Sequence, residues 1–99
     1  MATLQDLQFP IDQAIAAELL RCLPRTWVRA TLIASRAAVQ IEGSGQAGEA
    51  TASHELETRV RELFVLNEQF KTDLAGIEYT YTCDADGRWS FVGDYKYPD

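Results

Sequence analysis

The sequence predicts an α+β fold: one domain in the order helix, strand, strand, helix, strand, strand, with a four-stranded, mainly antiparallel sheet and both helices packed on one face. Three observations predict it. Two alternating runs, Ile77–Cys83 and Trp89–Tyr97, flank Asp84-Ala85-Asp86-Gly87, the residue types of a tight hairpin turn. Leu56, Val60, Leu63, Asn67, Phe70 and Leu74 recur at helical spacing just before them. A second alternating stretch over residues 27–42 precedes that helix, and connections of hairpin length join the strands.

Residues 1–9 are weakly patterned. Pro10 suits the first turn of a helix, where its missing N–H costs nothing. Ile11, Ala14, Ile15, Leu19, Cys22 and Leu23 then recur at helical spacing, with Asp12 near the start and Arg21 near the end complementing the helix dipole. Pro24 stops this helix. Trp27–Ala34 reads as a strand with Val28, Ala30, Leu32 and Ala34 on one face. Ala37, Val39 and Ile41 alternate with Gln40 and Glu42 in the next, although Ser35-Arg36 is a poor turn by residue type.

Residues 43–52 have no periodicity and contain three glycines, so a flexible loop is expected there. Ser53 is placed to cap the second helix, with Glu55 and Glu57 in its first turn and Gly76 at its C-terminal cap. Phe64 widens the apolar stripe. In the closing hairpin Ile77, Tyr79, Tyr81 and Cys83 share one face, and Trp89, Phe91 and Tyr95 share the matching face of its second strand.

Ninety-nine residues, 46% hydrophobic and 10% aromatic, suffice for one real core. The net charge is −6 and is unevenly spread: residues 1–41 carry four basic and three acidic side chains, residues 42–99 five basic and twelve acidic. An acidic surface repels phosphate backbones and attracts basic proteins, which sets nucleic-acid binding aside. No charged, apolar leader opens the chain and no stretch approaches the ~20 apolar residues of a membrane span, so a cytoplasmic protein without a membrane role is expected. Cys22 and Cys83 are expected to be unpaired thiols.

Recognised chemistry is absent from the sequence, and no cofactor is expected. His54 is the single histidine, and His54-Glu55 lacks the second histidine of a zinc-protease helix because position 58 is Thr58. Asp84-Ala85-Asp86-Gly87 resembles half of a calcium loop, but the twelfth position falls on Tyr95. No phosphate-binding glycine pattern or nucleophile elbow occurs. The expected role is therefore non-enzymatic.

The chain resembles the YezG-like immunity proteins, which neutralise bacterial polymorphic or contact-dependent growth-inhibition toxins. The likeness rests on Leu23-Pro24-Arg25-Thr26-Trp27 leading from the first helix into a strand, on Leu63-Phe64 in the second helix, and on Asp86-Gly87-Arg88-Trp89-Ser90-Phe91 followed by Asp94-Tyr95 in the closing hairpin. It spans about Leu23 to Tyr97. It implies an intracellular protein that binds one cognate toxin domain, often a nuclease with a basic active-site surface.

The sequence thus points to a binding module that is a monomer or weak dimer when free. Its partner-contacting residues are expected on the final hairpin: Glu78, Asp84, Asp86 and Asp94 as charges that steer the encounter, Tyr95 and Tyr97 as aromatic anchors. Tyr95 also shares a face with Trp89 and Phe91, so sheet packing is its other reading. The rival expectations are a small ligand-binding or enzymatic α+β domain, which needs a pocket with converging polar groups, and a homo-oligomeric scaffold built on the 56–74 helix.

Overall fold

A computed structural model describes residues 3–43 and 45–98. The elements follow the expected order: α1 (Leu4–Cys22), β1 (Arg29–Ser35), β2 (Val39–Glu42), α2 (His54–Gln69), β3 (Gly76–Cys83) and β4 (Trp89–Lys96). The strands form one sheet in the order β2-β1-β3-β4, every pair antiparallel. Two hairpins thus lie side by side, joined through α2, and β2 and β4 are the sheet's edges.

Helix α1 begins six residues before Pro10, where the sequence pattern placed its start. Thr3 and Asp6 form a capping box: the Thr3 hydroxyl accepts from the Asp6 N–H (3.2 Å), and the Asp6 carboxylate accepts from the Thr3 N–H (3.1 Å). Two of the helix's first donors are satisfied in this way. Pro10 then lies inside the helix, and the carbonyl it leaves unmatched belongs to Asp6, on an exposed turn that solvent reaches.

Helix α2 is capped as expected, with the Ser53 hydroxyl accepting from the Leu56 N–H at 3.1 Å. Its C-terminus differs. The helix ends at Gln69, not at Gly76, and closes in a Schellman arrangement: the Thr72 N–H donates to Asn67 C=O and the Lys71 N–H to Glu68 C=O, each at 3.0 Å. The left-handed position of this motif, usually glycine, is held by Lys71 at φ 58°. Gly76 instead opens β3. Phe70 is the C-cap and is 40% exposed, while Leu74 is buried from the connection beyond the helix.

The core lies between the inner face of the sheet and the two helices. Ile15 and Leu19 of α1, Leu56, Val60, Leu63 and Phe64 of α2, and Leu32, Ala34, Ile77, Tyr79 and Tyr81 of the sheet form one buried cluster. The β1–β2 connection needs no glycine, because the Ser35 hydroxyl accepts from the Ala37 N–H and the Ser35 N–H donates to Ala38 C=O at 2.9 Å.

The loop after β2 has no regular structure, as expected, but it is tied to the sheet. β2 ends opposite Thr31, which leaves the first residues of β1, paired with β3 on one side, without a partner strand on the other. The Gln46 side-chain amide takes that place: it accepts from the N–H groups of Val28 (2.7 Å) and Arg29 (3.3 Å) and donates to Arg29 C=O (2.7 Å). Trp27, buried just ahead of β1, donates its indole N–H to Ala47 C=O at 2.7 Å. Cys22 and Cys83 are both free thiols. Among the described residues no helix is long and apolar enough to cross a membrane.

Candidate binding surface

The closing hairpin organises the surface. Its tip is a tight turn in which the Gly87 N–H donates to Asp84 C=O at 3.0 Å and Gly87 takes φ 81°, a conformation most side chains resist. The Asp84 carboxylate belongs to this turn: its Oδ1 accepts from the N–H groups of Asp86 and Arg88, each at 2.9 Å. Asp86 is exposed and makes no side-chain hydrogen bond among the described residues.

Alternation along β3 and β4 sends Ile77, Tyr79, Tyr81, Trp89, Phe91 and Tyr95 to the inner face and Glu78, Thr80, Ser90, Val92 and Asp94 to the outer one. Both helices cover the inner face, and the outer face is open. Two rows cross it from edge to edge: Glu42, Thr31, Thr80, Val92, and then Gln40, Ile33, Glu78, Asp94. Among the described residues Val92 is the most exposed large apolar one, at 74%. Glu78 and Asp94 stand directly opposite each other, a like-charge cross-strand pair that weakens a sheet. Lys96 bridges them, its Nζ 2.6 Å from Asp94 and 3.7 Å from Glu78, and the bond to Asp94 raises its pKa. Arg29 lies at the far end of the same face.

Beneath this surface the hairpin is pinned to α1 by a carboxylate. Asp12 accepts a hydrogen bond from the Tyr79 hydroxyl on one oxygen and from the Tyr95 hydroxyl on the other, at 2.7 Å in the second case, with the two hydroxyl oxygens 3.2 Å apart. Burial raises the pKa of all three inner tyrosines, and the bonds to Asp12 hold Tyr79 and Tyr95 further toward the protonated form; Tyr95 is pushed up to about 12. Gly93 faces Tyr79 across the ladder, and a Cβ there would sit 3.0 Å from the tyrosine ring. The missing side chain lets that ring lie over β4. Tyr79, Tyr81 and Phe91 pack with ring centroids 5.3–6.2 Å apart.

A second buried pair continues the polar seam. Asn67 of α2 donates to Gln8 Oε1 at 3.1 Å and to Leu63 C=O at 2.9 Å, and it accepts from the Thr72 hydroxyl at 2.9 Å. Its polar atoms are satisfied, so the apolar period that Asn67 interrupts costs little.

The six hairpin residues singled out from sequence therefore divide. Glu78 and Asp94 come together on the open face, Asp86 stands free at the tip, and Tyr97 is half exposed beyond the end of β4. Asp84 spends its carboxylate on the turn. Tyr95 turns inward to Asp12 and lies on the packing side of the sheet. Sequence reasoning missed Glu42 and Val92, which share a row on the open face. It also read Asp12 only as a dipole partner, although Gln8, Asp12, Ile15 and Leu19 share one helical stripe. Inner-face tyrosines that need acceptors were the available signal.

Among the described residues no group of three His, Cys, Asp or Glu side chains is placed to hold a metal ion. No family model, curated protein or solved structure matches the chain.

Proposed function

We propose that this protein is a non-enzymatic inhibitor: an immunity protein of the kind its sequence resembles, which occludes a basic toxin domain of the nuclease class. The observation that carries the reading is the like-charged pair Glu78 and Asp94 on an uncovered sheet face, beside the exposed Val92. Opposed carboxylates weaken a sheet, and Lys96 offsets only one of the two charges, so the cluster keeps a net negative charge for a cationic partner to meet. Glu42 and Asp86 extend the acidic field toward the other edge and the tip. Long-range attraction raises the encounter rate, and Val92 and Tyr97 supply apolar contact once the surfaces meet. Tyr95 contributes by holding β4 in place through Asp12.

The test is capture of the polypeptide encoded immediately upstream, followed by stopped-flow association across a salt series. The on-rate should fall as the Debye length shrinks from roughly 30 Å at 0.01 M to about 8 Å at 0.15 M. It should fall again in Glu78→Gln/Asp94→Asn, with the thermal melt nearly unchanged because both groups are exposed. Absence of capture, or an on-rate indifferent to salt and to these variants, would remove the proposal.

A further inference from the structure

The sheet's two edges differ in length. β2 is four residues long, and beyond its end the Gln46 side chain satisfies the exposed backbone of β1. On the other side β4 runs for eight residues, and among the described residues nothing bonds to its outer backbone groups. The Asp84 N–H donates to Arg88 C=O at 2.9 Å, and the Cys83 N–H donates across β3's other side to Val28 C=O at 2.7 Å. Carried along the antiparallel ladder, this alternation turns the N–H and C=O of Trp89, Phe91, Gly93 and Tyr95 toward the open edge. No proline or bulge blunts it.

Directly inside that edge lies a groove of about 500 Å³ between α1 and β4. Ala16, Ala17 and Leu20 form one wall and Trp89 and Phe91 the other. Tyr81 lines it as well, and its buried hydroxyl has no partner among the described residues. The small alanines leave the space that a side chain entering from a neighbouring strand would need.

We propose that the free edge of β4 pairs antiparallel with an extended segment of a partner protein, which sets apolar side chains into the α1–β4 groove and turns cationic side chains toward Asp94. The alternation follows from the edge itself. Residues opposite Trp89, Phe91 and Gly93 face inward with them, and the residues between face outward beside Val92 and Asp94. A second copy of this chain is the poorer occupant, because each copy carries a net charge of −6. The inference goes beyond the reading above by assigning the contact to backbone pairing at one edge. It does not require that the partner be a toxin.

Backbone amide exchange of the full chain, followed by NMR, tests it with a short blocked peptide of alternating valine and lysine. The amides of Trp89, Phe91, Gly93 and Tyr95 should exchange freely in the protein alone and slow by about tenfold or more with the peptide. The same peptide N-methylated at its valines should give no protection. Ala17→Gln fills the groove from an exposed helix position and should weaken the peptide by about tenfold without lowering the melt. Three results would overturn the proposal: no slowing, equal slowing by the N-methylated peptide, or concentration-dependent protection without peptide, which would mean that a second copy occupies the edge. Capture of the upstream product and this peptide measurement can fail independently, so the two readings are separable.

Discussion

Replacing Asp12 with alanine should be among the most damaging single changes in this protein. The substitution leaves two tyrosine hydroxyls without their acceptor. Tyr79 is fully enclosed, so its hydroxyl cannot turn to solvent, and an orphaned buried donor costs about 1–3 kcal/mol. Tyr95 is half buried and falls near the lower end of that range. The sum is about 2–4 kcal/mol, a large part of the roughly 5–15 kcal/mol that holds a small domain together. At about 4–8 °C per kcal/mol for a chain of this size, the melting temperature should drop by roughly 10–30 °C. Thermal melts by circular dichroism, checked by urea unfolding, measure it. Removing both hydroxyls as well, in Asp12→Ala with Tyr79→Phe and Tyr95→Phe, should recover most of the loss, since apolar groups need no acceptor. An alanine variant melting within about 3 °C of wild type, or a triple variant no better than the single one, would refute the account.

The same cluster sets an alkaline limit. Tyr79, Tyr81 and Tyr95 hold their protons more tightly folded than unfolded, so their contribution is complete below pH about 10 and is lost as the pH rises toward the folded value of about 12 for Tyr95. Melts across that window should fall in step with tyrosinate absorbance. Lys71→Gly should raise stability by about 0.5–1 kcal/mol in a urea titration, because the left-handed position of the Schellman motif suits glycine. Gln46→Ala should cost about 1–2 kcal/mol and speed amide exchange at Val28 and Arg29, the two donors it strips. Asp84→Ala should cost about 1 kcal/mol through the two turn bonds it loses, while Asp86→Ala should stay within about 0.5 kcal/mol in the same titration.

The fold was largely legible because its signals are local. Period-two runs, an Asp-Gly turn and a helical stripe each depend on neighbours a few residues away, and all four strands and both helices follow from them. The errors fall at the start of β1, which opens at Arg29 and leaves Val28 exposed, not on the core face with Ala30, and at helix ends, where side chains outrank backbone stereotypes. Thr3 and Asp6 start α1 ahead of the proline that seemed to begin it. Lys71 adopts the conformation for which Gly76 seemed the natural candidate. The loop over 43–52 reads as flexible because glycines carry no pattern, yet one amide side chain within it completes the edge of β1. The candidate surface was half legible. Alternation places Glu78 and Asp94 outward, but only strand register shows that they face each other and that Glu42 joins the row of Val92. Asp12 was hidden because its partners lie at the other end of the chain.

That distance shapes how the molecule is assembled. Asp12 and Tyr95 are 83 residues apart, and Asp12 and Tyr79 are 67 apart. Until the closing hairpin is in place, α1 carries a carboxylate on the side it must bury, and docking the helix early would strand that charge away from water. The polar contacts that pin the first helix to the sheet are therefore complete only when the last strand is in place. Closing so long a loop is slow, because chain entropy is lost before the contact repays it. A chain cut off before Tyr95 would lack the outer partner that locks α1 onto the sheet.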